Sequence, residues 1–169
     1  MLTTIVAIYT LYILISMYTS IMQIGYINIA KRKAPVLLED GKFLVAGNYA
    51  VAKEKLSLIN SFVDYIFFIG WIGVGIHWLQ SILVLENQII ENIAIVMGFL
   101  VINSVLSLPF SYYEKFVLDE EFGFNKSTRV LWLKDTVISF VLTLVFGSLV
   151  VWGIYEIITN FSQWWIWSF

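Results

Sequence analysis

The stretch LPFSYYEKFVLDEEFGFNKSTRVLWLK, residues 108–134, is the most polar part of the chain between two strongly apolar segments. Its three adjacent acids are flanked by three of its phenylalanines: Asp119, Glu120 and Glu121 lie between Phe116 and the pair Phe122 and Phe124. Gly123 stands among the aromatics, and glycine accepts backbone angles that other residues resist. Asn125, Ser127 and Thr128 supply side-chain oxygens able to cap a helix beginning near Val130. These features predict a folded element between two helices. Because neighbouring residues point around a helix or turn, we do not expect the acids to converge on one cation.

The composition places the rest of the chain in a membrane. Of 169 residues, 60% are apolar and 13% are charged, against about 25% charged residues in a typical soluble domain. There is no cysteine, which excludes a disulfide and a thiolate metal site. The ten basic residues are scattered between apolar runs, so we expect no nucleic-acid partner.

Four apolar segments predict an all-α, polytopic transmembrane helix bundle with the lipid bilayer as its surroundings. We place the spans at about 2–30, 62–85, 89–108 and 130–158. The tryptophan-rich end, residues 161–169, is compatible with the start of a fifth span. We expect Pro109 to end or kink the third span. Gly70, Gly73 and Gly75 in the second span are expected to let another helix approach closely.

The charge distribution orients these spans. All ten basic residues fall in or beside the segments 31–55 and 115–134, which lie on one side of a four-span bundle. Positive residues favour the cytoplasmic side. The connecting segments 31–61 and 109–129 are therefore predicted to be cytoplasmic, with both chain ends on the opposite side.

A helical repeat of apolar residues marks the first cytoplasmic segment. The residues on this face are Val45, Tyr49, Ala52, Leu56 and Ile59. Their spacing of alternately four and three predicts an amphipathic helix. It could lie on the membrane surface, which is the simplest interpretation, or pack against a soluble domain, and the sequence does not decide between the two.

The order of residues in the central stretch resembles the CAAX prenyl protease type of membrane-embedded zinc metalloproteases. The matching residues are Pro109, Phe116, Glu120, Glu121, Phe122, Gly123, Phe124, Asn125, Lys126 and Thr128. In that family a similar segment joins two membrane helices ahead of the catalytic part. We refer to these ten positions as the family motif and expect them to act in structure or in domain docking, not in catalysis. Tyr49 and the lysines near it carry a weaker match.

The resemblance implies that residues 1–169 form a single amino-terminal membrane domain of a zinc metalloendopeptidase. Such a domain would form part of an intramembrane chamber and dock a catalytic half that carries H-E-x-x-H. This chain has one histidine, so that motif is absent here, and we predict no catalytic and no metal residue in it. Zinc, the hydrolase activity and the peptide or membrane-protein substrates would belong to the parent. We expect a multi-pass integral membrane protein. Its membrane would be the bacterial cytoplasmic membrane by preference, or the endoplasmic reticulum membrane if the source is a eukaryote.

A different class of function also fits the sequence. The chain could be a complete small four-helix membrane protein that acts as an assembly partner or transporter subunit. The two hypotheses share one topology, and they differ in whether the gene continues into H-E-x-x-H. His77 lies within the second span, where a lone histidine is expected to make an interhelical hydrogen bond.

Overall fold

The computed structural model describes residues 2–32 and 39–162, apart from the side chain of Asp40, and all regular structure in these ranges is helical. In chain order the elements are α1 (Leu2–Ala30), α2 (Asp40–Gly70), a first π-helical turn (Trp71–Gly75), α3 (Ile76–Ile82), α4 (Gln88–Tyr113), a second π-helical turn (Glu114–Leu118), α5 (Asp119–Glu121) and α6 (Arg129–Asn160).

Among the residues that the structure describes, four helical stretches are long and apolar enough to cross a membrane: Leu2–Ala30, Gly41–Ile82, Gln88–Glu121 and Arg129–Asn160. The predicted all-α, multi-pass fold class is therefore confirmed. Most of the segment that could begin a fifth span, residues 163–169, lies outside the described residues.

The chain divides into two compact units, and the first combines residues 1–73 and 109–126. In it, α1 and α2 pack antiparallel. The Tyr9 ring lies 4.0 Å from that of Phe68, and the hydroxyls of Thr10 and Tyr65 are 3.0 Å apart. A hydrogen bond between two membrane helices satisfies polar groups that lipid cannot.

The far end of this helix pair is held by a close approach at Gly47. A β-carbon at Gly47 would lie 2.6 Å from the Cγ atom of Lys31, so only glycine fits there without a shift. The Lys31 Nζ atom donates a 2.9 Å hydrogen bond to Asn48 Oδ1 on α2. The polar first half of α2 is therefore tied to the end of α1.

The second unit combines residues 74–108 and 127–169. Here α3 packs against α4 where Gly98 faces Leu79, and α4 packs against α6 where Gly147 faces Met97. By contrast, no atom of the described residues lies within 4 Å of a β-carbon built at Gly70 or Gly73. Within those residues, the close helix approach that these glycines would permit is therefore not found. The first π-helical turn begins directly after Gly70 and contains Gly73.

Pro109 does not end the helix in which it lies. α4 continues through it to Tyr113. A proline removes one backbone hydrogen bond, and membrane helices tolerate that loss when neighbouring groups satisfy the freed carbonyl. The departure from regular α-helix comes after Tyr113, at the second π-helical turn.

Candidate functional site

The second π-helical turn, Glu114–Leu118, brings the central polar stretch into contact with the protein interior. Phe116 and Leu118 are buried, with 8% and 5% of their surface exposed. The Phe116 ring packs 4.9 Å from Tyr112 on α4. π-helical turns occur frequently at functional sites, and this one leads directly into the three acids.

After α5 the main chain turns sharply at Gly123, whose φ is +76°. The backbone amides of Phe124 and Asn125 then donate hydrogen bonds of 2.7 and 3.0 Å to the carbonyl oxygen of Asp119. A β-carbon at Gly123 would meet no atom of the described residues within 4 Å, so within them it is the backbone angle that favours glycine here. Residues 119–125 thus form a closed turn.

A hydrogen bond joins this turn to α2. The Tyr49 hydroxyl donates to the Oδ1 atom of Asp119 at 2.7 Å. Asp119 is 9% exposed, and its other carboxylate oxygen lies 3.9 Å from the Lys115 ammonium. The Tyr49 ring is 4.5 Å from that of Phe124 and 5.5 Å from that of Phe122. A buried carboxylate is thereby satisfied by a donor from a distant part of the sequence.

An ion pair lies one helical turn further along α2. The Lys53 ammonium is 2.7 Å from the Glu114 carboxylate and 5.4 Å from the centre of the Tyr49 ring. The charged first half of α2, residues 40–61, lies outside the predicted span. The hydrogen bond to Asp119 raises the pKa of Tyr49, and the hydrogen bond to Glu114 raises the pKa of Lys53. In both cases the hydrogen bond stabilises the protonated form, which is the donor.

Beside these contacts, α2 and the end of α4 enclose a partly open cavity of about 460 Å³. α2 lines it with Ala52, Lys55, Leu56 and Ile59. The other wall consists of Pro109, Phe110, Tyr113, Leu118 and Glu121. The lining is mainly apolar, with a lysine, a glutamate and a tyrosine hydroxyl as its polar side-chain groups. A cavity of this size and character is typical of a small-molecule site.

Comparison with known proteins identifies the family. Residues 26–169 match the family model described as CAAX prenyl protease N-terminal, five membrane helices. The chain belongs to the CAAX prenyl protease N-terminal family. CAAX prenyl protease 1 of Saccharomyces cerevisiae is 30% identical over 159 residues, which cover 84% of this chain and 35% of that protein. The CAAX prenyl protease 1 homolog of Dictyostelium discoideum is 39% identical over 61 residues, 36% of this chain and 14% of that protein.

A solved structure agrees with this assignment. The crystal structure of S. mikatae Ste24p matches with a TM-score of 0.84 and 25% sequence identity, over 96% of this chain and 40% of that one. The chain spans about a third of the length of the yeast relative it matches. It corresponds to the amino-terminal membrane domain of the CAAX prenyl proteases, and it is an integral, multi-pass membrane protein.

The structure places most of the family motif in the first unit. Pro109 and Glu121 line the cavity, and Phe122 and Phe124 contact Tyr49. Phe116 is buried in the second π-helical turn, and Gly123 has the positive φ of the closed turn. The backbone amide of Asn125 donates a hydrogen bond, and Glu120 and Lys126 are exposed.

Thr128 belongs to the second unit. Its side chain accepts a 3.2 Å hydrogen bond from the Leu131 amide at the start of α6, as expected of a cap. The family motif does not include Asp119 or any residue of α2. The sequence pattern that points to Tyr49 is its position on the apolar face of the amphipathic repeat, but that repeat alone does not identify Asp119 as its partner.

The residues that the structure describes do not form a zinc site. In the described part of the chain no three histidines, aspartates or glutamates lie close enough together to hold a metal ion. His77 is exposed on α3 and makes no hydrogen bond to any described residue. The expected interhelical hydrogen bond is therefore not found within that part. No chemical step can be assigned here to a metal bound by this chain.

Proposed function

We propose that this chain is the amino-terminal membrane domain of a membrane-bound zinc metalloendopeptidase. The domain contributes membrane helices to an intramembrane chamber, and its central turn docks the catalytic half of the same polypeptide. The family match over residues 26–169 supports the first part of this proposal. The zinc ligands and the catalytic base would come from sequence beyond residue 169, since the described residues offer no such set.

One observation carries the docking role, namely that the turn is fixed on its inner side and polar on its outer side. Inside, Asp119 and Phe116 are buried. Outside, Phe124 is 48% exposed, and Glu120 and Lys126 are also exposed. A rigid turn that presents an aromatic ring between opposite charges is suited to protein recognition. A slack linker would present no such fixed surface.

The substrates and the membrane that we propose are those of the parent metalloendopeptidase. In a eukaryote we propose prenylated carboxyl-terminal peptides as substrates and the endoplasmic reticulum as the membrane. In a bacterium we propose membrane-protein segments and the cytoplasmic membrane. The two named relatives, from yeast and Dictyostelium, are eukaryotic. They give no support to the bacterial membrane that was preferred from the sequence.

The nucleotide sequence of the gene tests the proposal that this chain is the amino-terminal domain of a zinc metalloendopeptidase. Reading it beyond the codon for residue 169 should give an open frame that encodes H-E-x-x-H on a predicted helix. The full-length protein should then cleave a prenylated peptide or a membrane-protein segment, lose the activity to a chelator and regain it with zinc. A stop codon at that point would instead favour the small four-helix membrane protein.

Docking is tested in the full-length protein with a graded series at Gly123. Gly123→Val should lower proteolysis most because a β-branched residue is strained at positive φ, whereas Gly123→Asn should lower it least because asparagine tolerates that region. Gly41→Val is the matched control, since Gly41 has equally open surroundings and an ordinary φ. Peptide cleavage per mole of inserted protein is measured, with insertion checked by alkaline extraction. Equal activity in all three variants would refute docking through the turn.

A further inference from the structure

The cavity between α2 and the end of α4 is lined by two charged residues, Lys55 and Glu121, and otherwise mainly by apolar residues. On α2, Lys55 precedes Ile59 by one helical turn, about 6 Å along the axis. Ile59 in turn lies just before the apolar segment that begins at Phe62. On the other wall, Pro109 directly follows the apolar segment that ends at Leu108. The cavity is therefore predicted to lie at the boundary of the hydrocarbon layer, where both helices emerge from it.

The polar groups of the cavity are complementary to a zwitterion. Lys55 supplies an ammonium, Glu121 a carboxylate and Tyr113 a hydroxyl. All three residues are exposed, and neither charge forms an ion pair with a described residue. This differs from Lys53 and Glu114 nearby, which neutralise each other. A ligand with one anionic and one cationic group would satisfy both remaining charges.

We propose that this cavity binds a phospholipid whose headgroup carries a primary ammonium, of the phosphatidylethanolamine type. The lipid phosphate accepts hydrogen bonds from Lys55 and Tyr113, and its ammonium donates to Glu121. The apolar wall of Leu56, Ile59 and Phe110 contacts the first part of an acyl chain. At about 460 Å³ the cavity is smaller than a whole phospholipid, so the remaining chain lies in the bilayer.

Headgroup chemistry separates this ligand from other lipids. A quaternary choline ammonium has no N–H and cannot donate a hydrogen bond to Glu121, so phosphatidylcholine binds more weakly. An anionic headgroup without an ammonium, as in phosphatidylglycerol, leaves Glu121 unpaired beside the lipid phosphate. The expected order of affinity is phosphatidylethanolamine first, with the other two below it.

The experiment measures lipid binding by the full-length protein, purified in mild detergent and stripped of lipid. The three lipids, with identical acyl chains, are titrated, and bound lipid is counted by native mass spectrometry. Exposed charge pairs are individually weak, so Lys55→Gln and Glu121→Gln should each weaken phosphatidylethanolamine binding about two- to fivefold. Lys42→Gln and Glu54→Gln are the matched controls, because neither residue lines the cavity, and both should bind as the wild type does.

A charge reversal makes the test sharper. Glu121→Lys places two cations in the cavity and should change the preference from phosphatidylethanolamine to phosphatidylglycerol. A wild-type protein that binds the three lipids equally would overturn the proposal, as would controls that lose binding with the cavity variants. Complete absence of bound lipid would also overturn it and would indicate a segment of the parent protein as the occupant. Peptide cleavage is not part of this readout, so the result is independent of the proposed function.

Discussion

Removing the Tyr49 hydroxyl isolates the contact between the central turn and α2. In Tyr49→Phe the ring remains, and with it the packing at 4.5 Å against Phe124. The 2.7 Å hydrogen bond to Asp119 is lost, together with the interaction of the hydroxyl with Lys53. The larger loss is the hydrogen bond to the Asp119 carboxylate, whose side chain is 13% exposed.

The magnitude follows from the charge and burial of Asp119. A hydrogen bond to a charged group contributes about 1.5–3 kcal/mol. The residual exposure and the Lys115 ammonium at 3.9 Å leave the carboxylate partly compensated, which favours the lower half of that range. We expect the closed turn to lose about 2 kcal/mol of local stability. At about 1.4 kcal/mol per factor of ten, local opening becomes about 30-fold more frequent.

Amide hydrogen exchange measures this opening directly. The Phe124 and Asn125 amides, which donate to the Asp119 carbonyl oxygen, should exchange about 30-fold faster in Tyr49→Phe. Tyr26→Phe is the matched control, because Tyr26 is 74% exposed and makes no hydrogen bond to a described residue. A double-mutant cycle with Asp119→Ala should give a coupling of about 1–2 kcal/mol. Unchanged exchange in Tyr49→Phe, or zero coupling, would refute the reasoning.

Three further outcomes are expected. Lys53→Met should cost only about 0.5 kcal/mol in denaturant unfolding, because Lys53 and Glu114 are 43% and 42% exposed; a loss several times larger would show that the pair is desolvated. Single cysteines at Asn87 and Ser127 should react with impermeant reagents from opposite faces of the membrane, and labelling from one face would disprove the four-span topology. Metal analysis of the purified chain should find no bound zinc, and one zinc per chain that is lost in His77→Ala would contradict this.

The class of the fold was predictable because lipid restricts the choices. A backbone in hydrocarbon must satisfy its own hydrogen bonds, so a long uncharged segment has to be helical. α1 covers the residues of the first apolar segment. α6 begins at Arg129, immediately after Thr128, which is one of the three residues expected to supply a cap. Apolar length and cap chemistry are local properties, and a single sequence contains them in full.

Features that depend on contacts between helices were predicted less well. Close approach was expected at Gly70 and Gly73, but it occurs at Gly47 and Gly98. A glycine permits an approach without requiring one, and the neighbouring helix decides which glycine is used. Likewise, the hydrogen bond between Tyr49 and Asp119 joins residues 70 positions apart. The apolar repeat places Tyr49 on a packing face, but it does not indicate which residue Tyr49 contacts.

The three consecutive acids show how one short sequence serves three surfaces. Successive residues on a helix point about 100° apart, so Asp119, Glu120 and Glu121 cannot share one direction. Asp119 points to α2 and accepts the Tyr49 hydrogen bond, Glu120 is exposed, and Glu121 lines the cavity. The same geometry explains why the acids do not gather into a metal cluster within the described residues. Neutralising each acid in turn should therefore give three separate effects, on the stability of the turn, on docking and on lipid binding, whereas a common cation site would give one.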